Sequence, residues 1–527
     1  MLAVGLVFAD ATIVTLALPD LLVDLRTTVY GVAAVLGVYT AALGCFALPA
    51  ASLVRRVGRE WTGVGALCLF SIASLAGALA GGLGALLAAR AVQGAAGAVI
   101  VTVAGASLGP RRVWVFIGVL SAAVGPVVGG ALTEAFSWRA IFVAQAPVPF
   151  IAAVLRRQWC EARPEPETPR RPDVRPMFAL GLVSGALTAL LFGLVLLLVV
   201  GWAMHPLSAA FAVTVVPVAA LAGALLARLE TAVLAGCALI GGGIGALAFL
   251  PSNSVGWLIV PEGIAGLGMG LALTPLLEHI LPERVAAIRS RNLAIRHLGT
   301  TLALVVLAPI VAHDLDAATE RAKLRTVAVV LDAPITPSQK LSVAPTLVAS
   351  VHADRPLAAL RANVEGARAK VSPSDRSRFD AMLGRIETVF MGAAEEAFHS
   401  AFLIAAAFAF VAALLLIVDT RRRAMATALI AAGLAVVGAQ ALVDHYAAPR
   451  PVVIADPCRP RERPQAGGVG GAAQSVVLRG LDAVACRLGA SREELVLALA
   501  DKSEAERFRR RHGFSPRSVE ALLRLIG

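Results

Sequence analysis

The feature that most constrains this chain is a series of thirteen long apolar runs, the first near residues 2–18 and the last near 424–443. A helix needs roughly 20 apolar residues to cross the hydrocarbon region of a bilayer. Backbone N–H and C=O groups in lipid have no water to bond, so a run of that length is a helix there. Hydrophobic residues make up 58% of the chain, against about 45–50% in a soluble domain. The predicted class is an all-α membrane protein whose solvent is the lipid bilayer.

The runs fall into six, a basic stretch, six more, and one. That grouping predicts an N-terminal six-helix bundle over 1–155 and a cytoplasmic linker over 156–176. A C-terminal six-helix bundle follows over 177–418 and carries an outer insertion at 313–396. A further transmembrane helix is expected at 419–445, a linker at 446–471 and a small helical extracytoplasmic domain at 472–527. Repeated halves of this kind are a common transporter layout. With the N-terminus in the cytoplasm, the short inner loops hold eighteen arginines and the short outer loops only Arg26 and Arg139. Basic residues stay on the cytoplasmic side, so this orientation is the expected one. The net charge of +12 would suggest nucleic acid in a soluble chain. Here it is spent on topology, and no nucleic-acid partner is expected.

Met1 leads almost directly into an apolar run with no basic segment before it, so no cleavable leader is expected. The insertion has balanced charges and mostly helical periodicity. Its most apolar piece, LRTVAVVLDAP, fits either a strand or a docking segment, and a helix is expected to start near SPSD. In the tail, Ser491 and Glu494 have capping-box spacing ahead of LVLALA. The six cysteines form no metal-ligand pattern. Cys45, Cys68 and Cys237 lie in apolar runs and Cys160 in a loop, while Cys458 and Cys486 in an outer tail could pair as a disulfide. No metal, cofactor or enzymatic nucleophile motif is expected.

A few polar residues interrupt the runs. Asp10 falls in the middle of the first. A charge at that depth costs at least a few kcal/mol, so Asp10 either carries protons or bonds a neighbouring helix. Arg90 lies in the fourth run, with Gln93, Gly94 and Gly97 on its face. It needs a partner such as Asp10, unless it reaches back to the outer surface. Gly125 and Gly129 in the fifth run form a GxxxG pair that suits close helix contact, and Pro126 between them removes a backbone donor. Glu262 lies in the tenth run, inside its outer end, either as a cavity carboxylate or as one reaching water. Glu134 reads as exposed.

These segments resemble signature motifs of drug:proton antiporters in the major facilitator superfamily. DATIVTLALP is similar to the first-helix motif of the branch that usually has fourteen helices. RAVQG resembles the fourth-helix motif, GPVVGG the antiporter motif of the fifth, and SWRAIF a segment of the same branch. GIAGLGMGLALTP and NLAIRHLGTT resemble its helix ten and eleven segments. The resemblance covers about residues 1–312 and 398–418. It implies that Asp10 and Arg90 couple protons to substrate movement and that Gly125, Pro126, Gly129 and Gly130 shape the exporter helix. It also implies that Tyr39, Gln93 and Glu262 face the substrate cavity, and Arg296 matches an arginine of a later motif. The chain departs from the pattern at the loop ASLVRRVGRE, where Ala51 and Arg55 replace a glycine and an acid. Ser121 replaces a glycine, Gln145 stands where asparagine is usual, and two central helices of the branch have no counterpart.

The expected function is proton-coupled export of a small organic compound such as a drug or antibiotic. The alternatives are export of a lipid or envelope metabolite, with an extracytoplasmic partner for 313–396 and 472–527, and a non-transporting sensor or scaffold on the same fold. The scarcity of aromatic residues, 5% of the chain, weighs against a cage for organic cations.

Overall fold

The computed structural model describes residues 2–105, 111–154, 174–227, 231–280, 286–340, 356–369, 371–417, 420–449, 451–459 and 468–517. Every regular element among them is helical. The basic linker expected at 156–176 falls largely outside the described residues, as does Cys160.

The first six runs form α1 (Leu2–Thr15), α2 (Leu18–Asp24), α3 (Val29–Val57), α4 (Arg59–Ala78), α5 (Leu83–Gly105), α6 (Arg111–Ala135), α7 (Trp138–Gln145) and α8 (Pro147–Val154). The later runs form α9 (Arg175–Leu196), α10 (Pro206–Val213), α11 (Val215–Leu226), α12 (Ala232–Ala246), α13 (Gly256–Ile280), α14 (Ala286–Leu331), α15 (Pro356–Arg368), α16 (Arg376–Leu415) and α17 (Thr420–Ala447). Among the described residues, nine helices are long and apolar enough to cross a membrane, and a tenth if α1 and α2 count as one bent span. Two shorter apolar stretches, Trp138–Val154 and Ala232–Ala246, together with α6 complete the thirteen runs. The chain is a multi-pass membrane protein of two six-helix bundles with one helix added.

Two spans expected as continuous are broken. The first bends by 58° between α1 and α2. Pro19 has no N–H to give the Thr15 carbonyl, and the Thr15 hydroxyl turns back to Ala11 O at 2.6 Å. The sixth breaks at Ala146, ahead of Pro147 and Pro149. By contrast, α3 is closed cleanly at both ends. Thr28 accepts from Gly31 N, and Gly58 adopts φ +91, which ends the helix inside the arginine-rich loop.

In the first bundle α3 packs on α5, α4 on α5, α7 and α8, and α1 on α6. In the second, α13 packs on α11 and α12, and α12 carries α17. The bundles meet where α6 touches α10 and α11, and where α1 and α2 touch α9. Helices in lipid gain little from apolar burial against one another, so close approach of small residues carries these contacts. The GPVVGG segment does this on two sides of α6. A side-chain carbon at Gly125 would meet the Thr12 hydroxyl, and one at Gly129 would meet the Ile13 carbonyl, with Ile13 C at 3.0 Å. Gly130 faces the other bundle, where a Cβ would stand 2.8 Å from Ala210 Cβ and 2.9 Å from Pro206 O.

Apart from this membrane unit, Gly201–Ala203, Leu315–Glu396 and Pro449–Gly527 form a second compact unit. The boundaries fall inside α14 and α16. The expected insertion and tail, separate in the chain, therefore belong to one body. The LRTVAVVLDAP segment is helical through Leu331, not a strand. No glycine or proline interrupts α14 between Ala312 and Leu331, and Pro334 follows. The tail supplies α18 (Gly468–Leu488), α19 (Arg492–Ala500) and α20 (Lys502–His512), which bury Ala485, Leu495, Ala498, Phe508 and Phe514 together. Ser491 and Glu494 form a reciprocal capping box at α19. Asp501 caps α20, and Gly513 at φ +82 ends it. Cys458 and Cys486 are joined in a disulfide. Tail and insertion are pinned by Arg492, fully buried, which reaches Asp332 at 2.8 Å and Glu493 at 2.9 Å.

Two predictions follow from these contacts. Arg492→Ala removes a fully buried cation from Asp332 and Glu493, and breaking a buried pair costs about 3–5 kcal/mol. Limited proteolysis of the full chain should then cut within α18–α20 far sooner than in wild type. Gly129→Ala should lower the thermal unfolding temperature of the detergent-solubilised protein more than Gly125→Ala. A Thr12 side chain can turn aside, but the Ile13 backbone cannot, and overpacking costs about 1–3 kcal/mol.

Candidate functional site

The membrane unit buries one charge pair at the heart of the first bundle. Asp10 on α1 and Arg90 on α5 meet at 2.6 Å between Oδ2 and Nη2, and both side chains are fully buried. Neither Asp10 oxygen accepts a well-directed hydrogen bond, so the contact is a charge contact first. Arg90 therefore does not reach the surface, as one reading of the sequence allowed.

Arg90 is held from several other sides. Nε donates to Val35 O at 3.2 Å and Nη1 to Gln93 Oε1 at 3.0 Å. The guanidinium lies 4.2 Å over the Tyr39 ring and 5.8 Å from that of Phe142. Tyr39 is fixed by donating to Val7 O at 2.8 Å. Gln93 passes the network on, donating to Ser74 Oγ at 2.8 Å and Gln145 Oε1 at 3.4 Å. Five of the first six spans thus contribute to the setting of one arginine. The sixth, α6, presses on α1 beside Asp10 through Gly125 and Gly129.

Tyr39 and Gln93, expected at a substrate cavity, are buried around Arg90. Glu262 lies apart from the pair, on α13 of the second bundle, fully buried with neither oxygen hydrogen-bonded. Glu134 is exposed, and its Oε2 accepts from Leu207 N at 2.9 Å, a link from α6 to the start of α10. Ser74 gave no signal in the sequence. Gln145 was visible only as a departure from asparagine, and an amide at that site still joins the network.

The ends of three spans are laced by the SWRAIF segment. Trp138 Nε1 and Arg139 Nη1 both donate to Asp24 Oδ2, at 2.8 and 2.6 Å, and Arg139 Nη2 reaches Ala80 O at 3.4 Å. Arg55, which replaces the usual loop acid, is exposed. In that loop Arg59 donates to Val103 O at 3.1 Å, tying the start of α4 to the end of α5.

A buried carboxylate–guanidinium pair has two states of very different cost. Protonating Asp10 removes the negative charge in contact with Arg90. The arginine is then left with a carbonyl, an amide and a ring face, and breaking a buried pair costs several kcal/mol. Such a pair can convert protonation into a change in helix packing.

The Major Facilitator Superfamily profile matches residues 1–305. The chain is similar to the cephamycin export protein CmcT of Amycolatopsis lactamdurans, 32% identical over 27% of this chain and 32% of that protein. It is 31% identical to the methylenomycin A resistance protein of Streptomyces coelicolor, over 42% of this chain and 48% of that one. The multidrug resistance protein Stp of Mycobacterium tuberculosis is 25% identical over 60% of this chain and 76% of its own length. The chain thus spans less than half the length of the first two. Among solved structures, an inward-facing bacterial homologue of the lysosomal transporter Spinster superposes with a TM-score of 0.53. That match has 15% identity and covers 79% of this chain and 96% of that one; it shows the fold alone. This chain belongs to the Major Facilitator Superfamily.

Proposed function

We propose that this protein exports a small organic compound, such as a drug or antibiotic, across the cytoplasmic membrane in exchange for protons. The observation that carries the reading is the fully buried Asp10–Arg90 pair at 2.6 Å. The export and resistance named for CmcT, the methylenomycin A protein and Stp support the direction and the kind of cargo.

In this mechanism Asp10 takes a proton that enters from outside and releases it towards the cytoplasm. While Asp10 is neutral, Arg90 holds to Val35 O, Gln93 and Tyr39, and α1 is freed from its charge contact. Because α1 packs on α6 and meets α9, its release loosens both a wall of the first bundle and a seam with the second. Re-ionisation of Asp10 restores the pair. Gly125 and Gly129 keep α6 close enough to α1 to feel the change. Glu262 serves as a second protonatable group in the opposite bundle. The orientation places the N-terminus in the cytoplasm and the second unit outside. The arginine bias supports this, and so does the Cys458–Cys486 disulfide, since such bonds persist in oxidising compartments.

Purified protein in proteoliposomes carrying a pH gradient should move protons when an exported compound is added. Asp10→Asn, checked for monodisperse elution, should reduce that movement to the level of empty vesicles while leaving compound binding measurable. Equal compound-driven proton movement in the variant and wild type would remove Asp10 from the coupling path.

A further inference from the structure

The membrane unit contains a second arginine set against a ring of α1, partly exposed where Arg90 is fully buried. Arg296, on α14, lies with its guanidinium 5.4 Å from the ring of Phe8 on α1. Among the described residues no carboxylate pairs with it. An arginine stays protonated in any protein environment. A ring face returns only about 0.5–2 kcal/mol, less than a desolvated charge costs. Beside it, His297 is buried with neither ring nitrogen hydrogen-bonded, although a neutral imidazole always offers one N–H and one lone pair. The positive charge of Arg296 acts on His297.

The backbone around the two is ordered by its own side chains. The Thr300 hydroxyl donates to Arg296 O at 3.3 Å and the Thr301 hydroxyl to His297 O at 2.9 Å. Thr301 Oγ1 also meets Thr40 Oγ1 of α3 at 2.9 Å, across the seam between bundles. These bonds fix the helix turn and leave the His297 imidazole unsatisfied. The contrast with Arg90 is direct. Each guanidinium faces an aromatic ring, but one is paired with a carboxylate and the other has none among the described residues.

We propose that Arg296 and His297 form the binding site for the acidic group of the transported molecule, so that the cargo is an organic anion, typically a carboxylate. A guanidinium matches a carboxylate in bidentate fashion, and the imidazole N–H supplies a further donor. The substrate thereby provides a negative charge beside Arg296. The assignment depends on the export reading only for the word cargo; the anion site stands on its own geometry.

The site also connects with the proton pair. Asp10 and Phe8 are two residues apart on α1, and they point to Arg90 and Arg296 respectively. An anion that draws Arg296 away from Phe8 loosens α1 on one side, as protonation of Asp10 loosens it on the other.

The test uses the full chain in lipid nanodiscs and equilibrium dialysis with three matched sets: 2-naphthoate, indole-3-acetate and salicylate, each with its methyl ester and the corresponding amine. At least one acid should bind ten or more times more tightly than its ester and amine. Arg296→Gln should lose at least tenfold for the acid and nothing for the ester, with Arg296→Lys between the two. Should Arg296→Gln elute as aggregate, His297→Leu provides the second measure, with a loss of several-fold confined to the acid. If no acid binds better than its ester and amine, or the variants lose both equally, the anion site is wrong. Selective acid binding without any proton movement in proteoliposomes would instead overturn the export reading and leave the site intact. Proton movement driven by amines or esters, and not by acids, would keep the export reading and overturn the site.

Discussion

A guanidinium enclosed in a lipid-facing bundle must be answered by charge, dipoles and ring faces drawn from the protein itself, since water is not at hand. Arg90 imposes that demand here. Val35 must present a carbonyl, Gln93 must turn its amide oxygen, and Tyr39 must lie flat and be anchored to Val7 O. Asp10 must be carried deep into a helix that is otherwise apolar. The packing of α1, α3 and α5 follows from these needs, and the small residues on α5 and α6 let the helices come close enough to meet them. Without the arginine there would be little to choose between many ways of stacking such uniformly apolar helices.

Much of this was legible in the sequence because the costs are so uneven. An acid and an arginine inside apolar runs are too expensive to be accidental, so Asp10 and Arg90 stood out at once. Glycines spaced at four residues next to a proline marked α6 in the same way. Other partners were hidden for the opposite reason. Ser74 costs little wherever it sits in a helix, Gln145 differs little from the amide expected there, and a backbone carbonyl such as that of Val35 has no letter of its own. Gln93 could be placed on the face of Arg90 from its spacing, but the turn of Tyr39 towards the same guanidinium could not, because runs apolar all round carry no face that the sequence can declare.

Span lengths were readable and span shapes less so. Composition fixed the thirteen runs, yet the bend at Pro19 and the break at Ala146 depend on which carbonyl loses its donor and what replaces it. In the second unit, periodicity identified the helices and the Ser491 capping box. That the insertion and the tail share one body turned on side chains that meet across long chain separations, Arg492 with Asp332 and Lys323 with Glu504. Long-range pairing of that kind leaves no local pattern.

The bend between α1 and α2 has a mechanical consequence. The α2 end is fastened, since Asp24 holds both Trp138 and Arg139. The α1 segment that bears Phe8 and Asp10 is joined to it through a corner of 58°. A rigid rod clamped at one end could slide only by dragging its clamp. An elbow lets the inner limb swing or shift while the clamped limb stays still. Asp10 is thus mounted on a short arm with its own pivot, the corner at Leu16 and Ala17, rather than on one stiff span.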